Sequence, residues 1–265
     1  MSFRSSRAVA RLSLPLRQVI DRWSAAEFAV LAALAVAAAA LLGFFVLVDE
    51  VVEGEMHAFD QAVLLALRNP ADPQDPIGPW WLEVMIRDLT ALGSTTVLAL
   101  ITTAVVGYLL IDGKRATALF VIVAVLGGAI VSFLLKQLFA RPRPELVAHL
   151  VDVHTLSFPS SHAMLSATTF LTLGALLARV QTRPALKAYL LGLAVVLMLL
   201  VGASRVYLGV HWPTDVLAGW CAGAAWAMIC LAVMLWLQRR GNVEKSDGTP
   251  ALQRGPAVAV DHRLQ

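Results

Sequence analysis

Two histidines and one aspartate, His162, His211 and Asp215, have the residue types and spacing that phosphoryl transfer requires. His211 and Asp215 are four residues apart, with Pro213 between them. Proline suits the first turn of a helix, since its missing N–H would be unpaired there in any case. The carboxylate can then reach back to one imidazole nitrogen and leave the other free to attack phosphorus. Taken alone, Asp215 would more simply cap its helix.

Positive charges that a phosphate group would need occur beside these residues. The segment "KQLFARPRP" contains Lys136 and Arg143, and Arg205 lies six positions before His211. Lysine offers a mobile point charge, whereas arginine offers a planar fork that grips two phosphate oxygens. Taken singly, "RPRP" is an ordinary stiff basic turn, and cations at a membrane edge also snorkel to lipid phosphates. The combination with the histidines favours an anion site.

The stretch "LSFPSSHAML" sets Ser160 and Ser161 directly before His162. A turn that opens a helix directs backbone N–H groups and the positive end of the helix dipole at an anion. We therefore expect the N–H groups of this turn to point toward a phosphate. A histidine near a helix start is by itself more often an ordinary polar residue than a catalyst.

The elements that carry these residues are apolar runs about twenty residues long. The chain has 265 residues, of which 58% are hydrophobic and 15% charged, whereas soluble domains have about 25% charged residues. Runs of this length cross a hydrocarbon core of about 30 Å. The pattern predicts an all-α, polytopic membrane protein. Its six transmembrane helices are predicted at 27–48, 95–112, 116–139, 161–179, 186–204 and 214–237.

The distribution of basic residues predicts the orientation. Fifteen of the 21 Lys and Arg residues lie on the side of both termini, so the positive-inside rule places both termini in the cytoplasm and the site at the outer face. Basic residues at the edges of apolar runs argue for lipid contact rather than nucleic acid. Four of the six outer cations lie next to hydrocarbon, where positive charge calls for a counter-ion. These are Lys136, Arg141, Arg143 and Arg205.

The chain divides into three parts on this basis. Residues 1–26 form a basic cytoplasmic tail, 27–238 the membrane domain, and 239–265 a polar cytoplasmic tail that we expect to be disordered. Within the membrane domain, an outer segment spans 49–94, and two loops, 140–160 and 204–214, carry the candidate site. "HAFDQAVLLALRN" in the outer segment has apolar residues at helical spacing and predicts a helix along the membrane interface.

The order Lys-x6-Arg-Pro, Pro-Ser-x-His and Ser-Arg-x5-His-x3-Asp over residues 136–215 resembles the type 2 phosphatidic acid phosphatase family, which is related to the vanadium haloperoxidases. The resemblance implies a phosphatase-type helical core with no metal or other cofactor. It implies that Lys136, Arg143 and Arg205 bind phosphate, with further hydrogen bonds from Ser160 and the backbone of its turn. It also implies nucleophilic attack by His211, protonation of the leaving group by His162, and orientation of His211 by Asp215. "RDLTALGSTT" (87–96) also resembles a segment of bacterial members, without an assigned catalytic role.

The family usually has glycine where this chain has Ser161. Serine would be strained there if the position required positive φ. The first turn of a helix has negative φ, so we expect serine to be compatible with the catalytic turn and the hydroxyl of Ser161 to be a further donor to phosphate.

The resemblance implies a lipid phosphatase of the bacterial inner membrane, and removal of the terminal phosphate of undecaprenyl diphosphate is the leading interpretation. Phosphatidic acid, phosphatidylglycerophosphate and a lipid A phosphate are alternative substrates. A transport or non-catalytic lipid-binding protein is a different class that charged membrane residues also permit. That class explains neither the histidine–aspartate set nor the absence of a visible inverted repeat. The expected partners are the lipid phosphate substrate and membrane lipids, with no nucleic acid, and no motif specifies an oligomeric state.

Overall fold

The computed structural model describes residues 25–153 and 155–240. The predicted tails lie almost entirely outside the described residues, as does His154. In chain order the described elements are α1 (Ala25–Glu53), α2 (His57–Ala66), β1 (Arg68–Asn69), β2 (Asp72–Pro76), α3 (Trp80–Ala91), α4 (Thr95–Ile111), α5 (Arg115–Phe139), α6 (Ser161–Val180), α7 (Pro184–Tyr207) and α8 (Pro213–Arg239).

Helices dominate the structure, and the predicted all-α membrane class is confirmed. Helices α1, α5, α6, α7 and α8 are each long and apolar enough to cross a bilayer. A sixth candidate span is formed by α3 and α4, which meet at an angle of 47°. The predicted span 95–112 corresponds to α4 alone, a helix of 17 residues. Ser94 begins this helix by accepting a hydrogen bond from the Val97 N–H, so the chain bends there instead of continuing α3.

Local sequence sets where the helices next to the candidate site begin and end. Ser160 caps α6 by accepting from the Ala163 N–H, and Pro213 occupies the first turn of α8. Ala140 ends α5 in the left-handed conformation, with φ of 46°. Helix α7 continues to Tyr207, and this corrects the predicted loop 204–214. Arg205 therefore lies on the last helical turn, which fixes its direction more firmly than a loop would.

Helix α6 lies at the centre of the bundle and packs against α4, α5, α7 and α8, while α1 packs along α8. Small residues let α6 and α8 approach closely. A Cβ atom at Gly219 would lie 2.7 Å from the carbonyl oxygen of Ser160, and one at Gly223 would lie 2.4 Å from that of Met164. This backbone contact, of the kind that small residues four apart permit in membranes, brings the first turns of both helices together.

The segment between α1 and α4 covers the same end of the bundle. The predicted helix in this segment is present as α2, and it buries Asp60 and Leu64. Leu64 belongs to an apolar cluster with Val206 and Trp212, which flank the loop after α7. The antiparallel pair β1–β2 follows, a hairpin that the sequence pattern did not predict. Proline, polar and charged residues, not alternating apolar ones, make up most of it.

Candidate active site

Four helix ends meet at one end of the bundle and bring the motif residues together. The chain runs up α5 and α7 and down α6 and α8, so the carboxyl ends of the first pair lie beside the amino ends of the second. The helices supply Lys136 (α5), His162 (α6), Arg205 (α7) and Asp215 (α8), and the connecting loops supply Arg143 and His211. All six are therefore held by backbone that the bundle fixes.

Asp215 contacts His211 and caps its own helix at the same time. Its Oδ2 atom lies 3.4 Å from Nδ1 of His211 and accepts a hydrogen bond of 2.9 Å from the Trp212 N–H. The hydroxyl of Ser157 also donates to Oδ2, and it lies 3.3 Å from the same imidazole nitrogen. The two interpretations of Asp215, helix cap and histidine partner, are therefore compatible, because one carboxylate oxygen serves both.

Arg143 determines which nitrogen of His211 carries the proton. Its Nη1 atom lies 3.2 Å from Nε2 of His211, and a guanidinium can only donate. Nε2 must therefore accept, which leaves the proton on Nδ1, facing Asp215. Burial lowers the pKa of His211 to about 3 despite the nearby carboxylate, so the ring is neutral at physiological pH. An unprotonated Nε2 beside a cation is the form that a nucleophile needs.

Lys136 and Arg143 both bind the chain segment just before the "PSSH" turn. The ammonium of Lys136 donates to the carbonyl oxygen of Leu156 and lies 3.4 Å from that of Ser157. Arg143 Nη2 lies 3.5 Å from the same Leu156 oxygen, and Arg143 Nε donates to the carbonyl of Thr155 at 2.7 Å. Two positive charges are thus brought together on one stretch of backbone beside His211.

Arg205 is the third cation and is the least satisfied. Only 4% of it is exposed, and its Nη1 atom donates to the hydroxyl of Thr90 at 3.1 Å. Its Nε atom is buried without a hydrogen-bond partner in the described part of the chain. A buried cation without a counter-ion is costly, and an anion that bound here would remove that cost.

Of the four outer cations next to hydrocarbon, only Arg141 has carboxylate counter-ions in the described residues. Arg141 forms salt bridges with Asp215, at 2.7 Å, and with Asp60, at 2.8 Å. Within residues 25–153 and 155–240, none of the other three forms a salt bridge. These three are Lys136, Arg143 and Arg205, the residues that the motifs single out for phosphate.

His162 lies in the first turn of α6 and is partly exposed. The charges of Arg205, Arg143 and Lys136 all act on it, so it lies beside the same group of cations. On its other side the backbone of Gly93 comes close. A Cβ atom there would lie 3.4 Å from His162 Cδ2 and 2.3 Å from a methyl group of Val201. Only glycine fits between His162 and α7 at this point.

The two serines of the turn have partners within the protein. Ser160 accepts from the Ala163 N–H, and its own N–H donates to the carbonyl of Asp215 at 3.0 Å. The hydroxyl of Ser161 lies 3.0 Å from that of Ser132 on α5. Ser161 does not have positive φ, in agreement with the expectation for a first helical turn. Phosphate binding by either hydroxyl stays a prediction.

The structure adds residues that motif reasoning missed. Ser157 touches both His211 and Asp215, and its only sequence signal is its position two residues before Pro159. Thr90 contacts Arg205, and Gly93 lies beside His162. Both belong to the segment 87–96, which stood out in the sequence only by its resemblance to bacterial family members.

No group of three or more His, Cys, Asp or Glu side chains suited to a metal ion occurs among the described residues.

Fold and site together define a class: a multi-pass helical membrane protein in which three cations without carboxylate partners and two histidines meet at one end of the helix bundle. Residues 117–239, a little under half of the chain, match the model of the PAP2 superfamily.

Its relatives are lipid phosphatases. The chain is 29% identical over 188 residues to phosphatidylglycerophosphatase B of Bacillus subtilis, which covers 69% of this chain and 86% of that protein. It is 34% identical over 107 residues to an undecaprenyl-diphosphatase of Sulfolobus acidocaldarius, covering 39% and 46% of the two chains. The crystal structure of a transmembrane PAP2-type phosphatidylglycerolphosphate phosphatase from B. subtilis superposes with a TM-score of 0.66 and 26% identity, over 77% of this chain and 98% of that one. These relatives support a phosphatase function.

Proposed function

We propose that the protein hydrolyses the terminal phosphate of undecaprenyl diphosphate, through a phosphohistidine at His211. The observation that carries the proposal is the set of three cations without carboxylate partners beside the unprotonated Nε2 of His211. A terminal phosphate supplies the negative charge that Lys136, Arg143 and Arg205 lack. In a site closed to water, such charges stabilise the transition state more strongly than they would in solution.

The first step forms a bond between His211 Nε2 and the terminal phosphorus and breaks the bond from that phosphorus to the oxygen that bridges the two phosphates. Arg143 donates to His211 Nε2 in the free protein and donates to a phosphate oxygen instead when substrate is bound. The imidazole keeps its Nδ1 proton and becomes positively charged, and Asp215 stabilises that charge from 3.4 Å. His162 gives its proton to the departing bridging oxygen.

The second step reverses these roles. Water attacks phosphorus with His162 as the base, the N–P bond breaks, and its electron pair returns to Nε2. Inorganic phosphate leaves and His211 is neutral again. For a diphosphate substrate, the first leaving group is a lipid monophosphate, which departs more easily than an alcohol would.

A groove between α4 and α5 fits the lipid part of such a substrate. It has a volume of about 380 Å³ and is lined by apolar and small residues from Thr95 to Val106 on α4 and from Ile122 to Ala129 on α5. Leu165, at its inner wall, lies one helical turn after His162. The groove therefore starts just below the anion site and runs along the bundle, where a polyprenyl or acyl chain would lie.

Two relatives suggest two substrates. The proposal of undecaprenyl diphosphate agrees with the S. acidocaldarius relative, which is 34% identical to this chain over 107 residues. Phosphatidylglycerophosphate is a second candidate, because the B. subtilis relative of that name aligns over far more of both chains. Both lipids present a terminal phosphate on a membrane anchor, so the same site chemistry serves either.

We place the site at the outer face of the cytoplasmic membrane. The helix ends opposite the site carry Lys114, Arg115, Arg179, Arg183 and Lys187, and the positive-inside rule assigns such an end to the cytoplasm. Lipid phosphates exposed at the outer leaflet would then reach the site by lateral diffusion.

Phosphate release by the purified protein tests the proposal. Undecaprenyl diphosphate, phosphatidylglycerophosphate and phosphatidic acid are compared in detergent, and the first is expected to have the highest kcat/KM. His211→Ala should lower the rate by at least about a thousandfold, since loss of a nucleophile costs up to about 10⁶-fold in a well-studied hydrolase. His57→Ala, an exposed histidine on α2, is the matched control. Equal rates for His211→Ala and the wild type would refute a phosphohistidine mechanism.

The same assay addresses the metal. We expect activity to be unchanged after treatment with EDTA, because the phosphate charge is met by side chains alone. A loss that added Mg²⁺ restores would contradict this part of the mechanism.

A further inference from the structure

Asp60 is a buried carboxylate outside all three motifs. It lies on α2, is fully buried, and is 154 residues from its partner Thr214 in sequence. Its Oδ1 atom accepts from the Thr214 N–H at 2.9 Å, and its Oδ2 atom accepts from the Thr214 hydroxyl at 2.6 Å. The N–H groups of a helix's first turn lack partners within the helix, so Asp60 caps α8 from another part of the chain.

The third partner of Asp60 connects it to the candidate active site. Arg141 donates from Nη2 to Asp60 at 2.8 Å and from Nη1 to Asp215 at 2.7 Å. Nη1 also donates to the Thr214 hydroxyl at 2.8 Å. One guanidinium thus bridges two carboxylates, and its planar shape fixes the direction of both bonds. Arg141 contacts Oδ1 of Asp215, whereas His211 lies against Oδ2.

The charges of the linked side chains Asp60, Arg141 and Asp215 do not cancel. Two carboxylates share one guanidinium, so the group of Asp60, Arg141 and Asp215 is net negative on the Nδ1 side of His211, opposite Arg143. Without Asp60, Arg141 would pair with Asp215 alone, and the pair would be neutral. A neutral pair would stabilise a positively charged phosphohistidine less well, and Arg141 would be free to pull the carboxylate away from the imidazole.

We propose that Asp60 is a positioning residue for the phosphatase reaction, holding Arg141 so that Asp215 keeps both its orientation and its negative charge toward His211. The proposal rests on the proposed function of the same site. Asp60 contacts none of Lys136, Arg143 and Arg205, so its removal should affect the chemical step and leave substrate binding nearly unchanged.

Asp60→Asn tests this role. An amide has one acceptor oxygen where the carboxylate has two, so its NH₂ group must face either Thr214 N–H or Arg141, and one bond is lost together with the charge. We expect kcat to fall about tenfold, similar to the effect of losing partners that orient ligating histidines, with KM within about twofold of the wild type. Asp75→Asn, the same change at an exposed position of β2, is the control and should match the wild type. Undecaprenyl diphosphate and dioctanoyl phosphatidic acid are assayed in parallel.

A double-mutant cycle separates positioning from general stability. In an Arg141→Gln background the link to Asp215 is absent, so Asp60→Asn should lower kcat by less than about twofold there. An equal loss in both backgrounds would show that Asp60 acts only by capping α8 and would overturn the proposal. A kcat unchanged by Asp60→Asn in the wild-type background would overturn it as well.

A substitute variant and a comparison with His211→Ala separate failure of this proposal from misfolding and from failure of the proposed function. If Asp60→Asn does not give folded protein, Asp60→Glu is used. It keeps the charge but moves the carboxylate, and should show the same loss of kcat without a change in KM, judged by the same criteria. If the wild type is no more active than His211→Ala on either substrate, the proposed function fails and the inference fails with it. An active wild type with an equally active Asp60 variant refutes the inference alone.

Discussion

Nη1 of Arg143 lies 3.2 Å from Nε2 of His211. A cation proposed to bind phosphate therefore contacts the nitrogen that would attack phosphorus. The contact has two consequences. It keeps Nε2 unprotonated, since the guanidinium can only donate. It also places a positive charge next to the position that the phosphate would take. When the phosphate binds, the guanidinium could exchange its hydrogen bond to Nε2 for one to a phosphate oxygen without a large movement. In the proposed mechanism, His211 is therefore ready for attack before substrate binds.

Ser157→Ala should lower kcat by about tenfold. Its hydroxyl donates to Asp215 and lies beside His211 Nδ1, and a hydrogen bond to a charged group contributes about 1.5–3 kcal/mol. Phosphate release under saturating substrate is the measurement. Ser166→Ala is the matched control, because that buried hydroxyl donates to the backbone carbonyl of Ala163 and not to His211 or Asp215. Similar rates for both variants would show that Ser157 does not orient the pair.

Ser161→Gly and Ser132→Ala remove the same interhelical hydrogen bond from its two ends. We expect both to retain activity within about threefold and to unfold at lower temperature in detergent, since a net hydrogen bond contributes about 1 kcal/mol. The comparison of the two variants is informative. A sharp loss of activity in Ser161→Gly alone would mean that the Ser161 hydroxyl acts on the substrate directly.

Gly209→Ala should destabilise the protein and reduce phosphate release. Gly209 has φ of +74° in the loop before His211, and a Cβ there would lie 2.5 Å from the carbonyl oxygen of Ala148. Gly113 has almost the same φ, +75°, with open space around it. Gly113→Ala should therefore cost only the conformational strain, about 1–2 kcal/mol. Thermal unfolding measures both, and equal losses would exclude a role for the close contact with Ala148.

Cysteine labelling in intact cells tests the orientation. Asp152 is exposed in the loop at the site end, and Thr182 is exposed between α6 and α7 at the opposite end. In a background with Cys221 and Cys230 replaced by alanine, Asp152→Cys should react with a membrane-impermeant thiol reagent and Thr182→Cys should not. Permeabilised cells, in which both should react, provide the control. The reverse pattern in intact cells would place the site in the cytoplasm.

The long helices were predictable from sequence because burial in lipid requires an unbroken apolar run, which is a local property. The predicted third and fourth spans, 116–139 and 161–179, differ from α5 and α6 by a single residue at one end. Helix α3 was not predicted, since its composition is mixed and its angle to α4 depends on how both pack. The hairpin at Arg68–Pro76 was missed for a similar reason, because its short strands lack apolar alternation.

The motif residues and their chemistry were determined by the sequence itself, since histidine, aspartate, lysine and arginine carry their functional groups wherever they lie. What only the tertiary structure decided is how the charges are shared. Four outer cations looked alike in sequence, yet Arg141 is paired with Asp60 and Asp215 while Lys136, Arg143 and Arg205 have no salt bridge in the described residues. Salt bridges form between side chains 74 and 81 residues apart, and no local pattern encodes such separations. Helix packing alone brings them within reach.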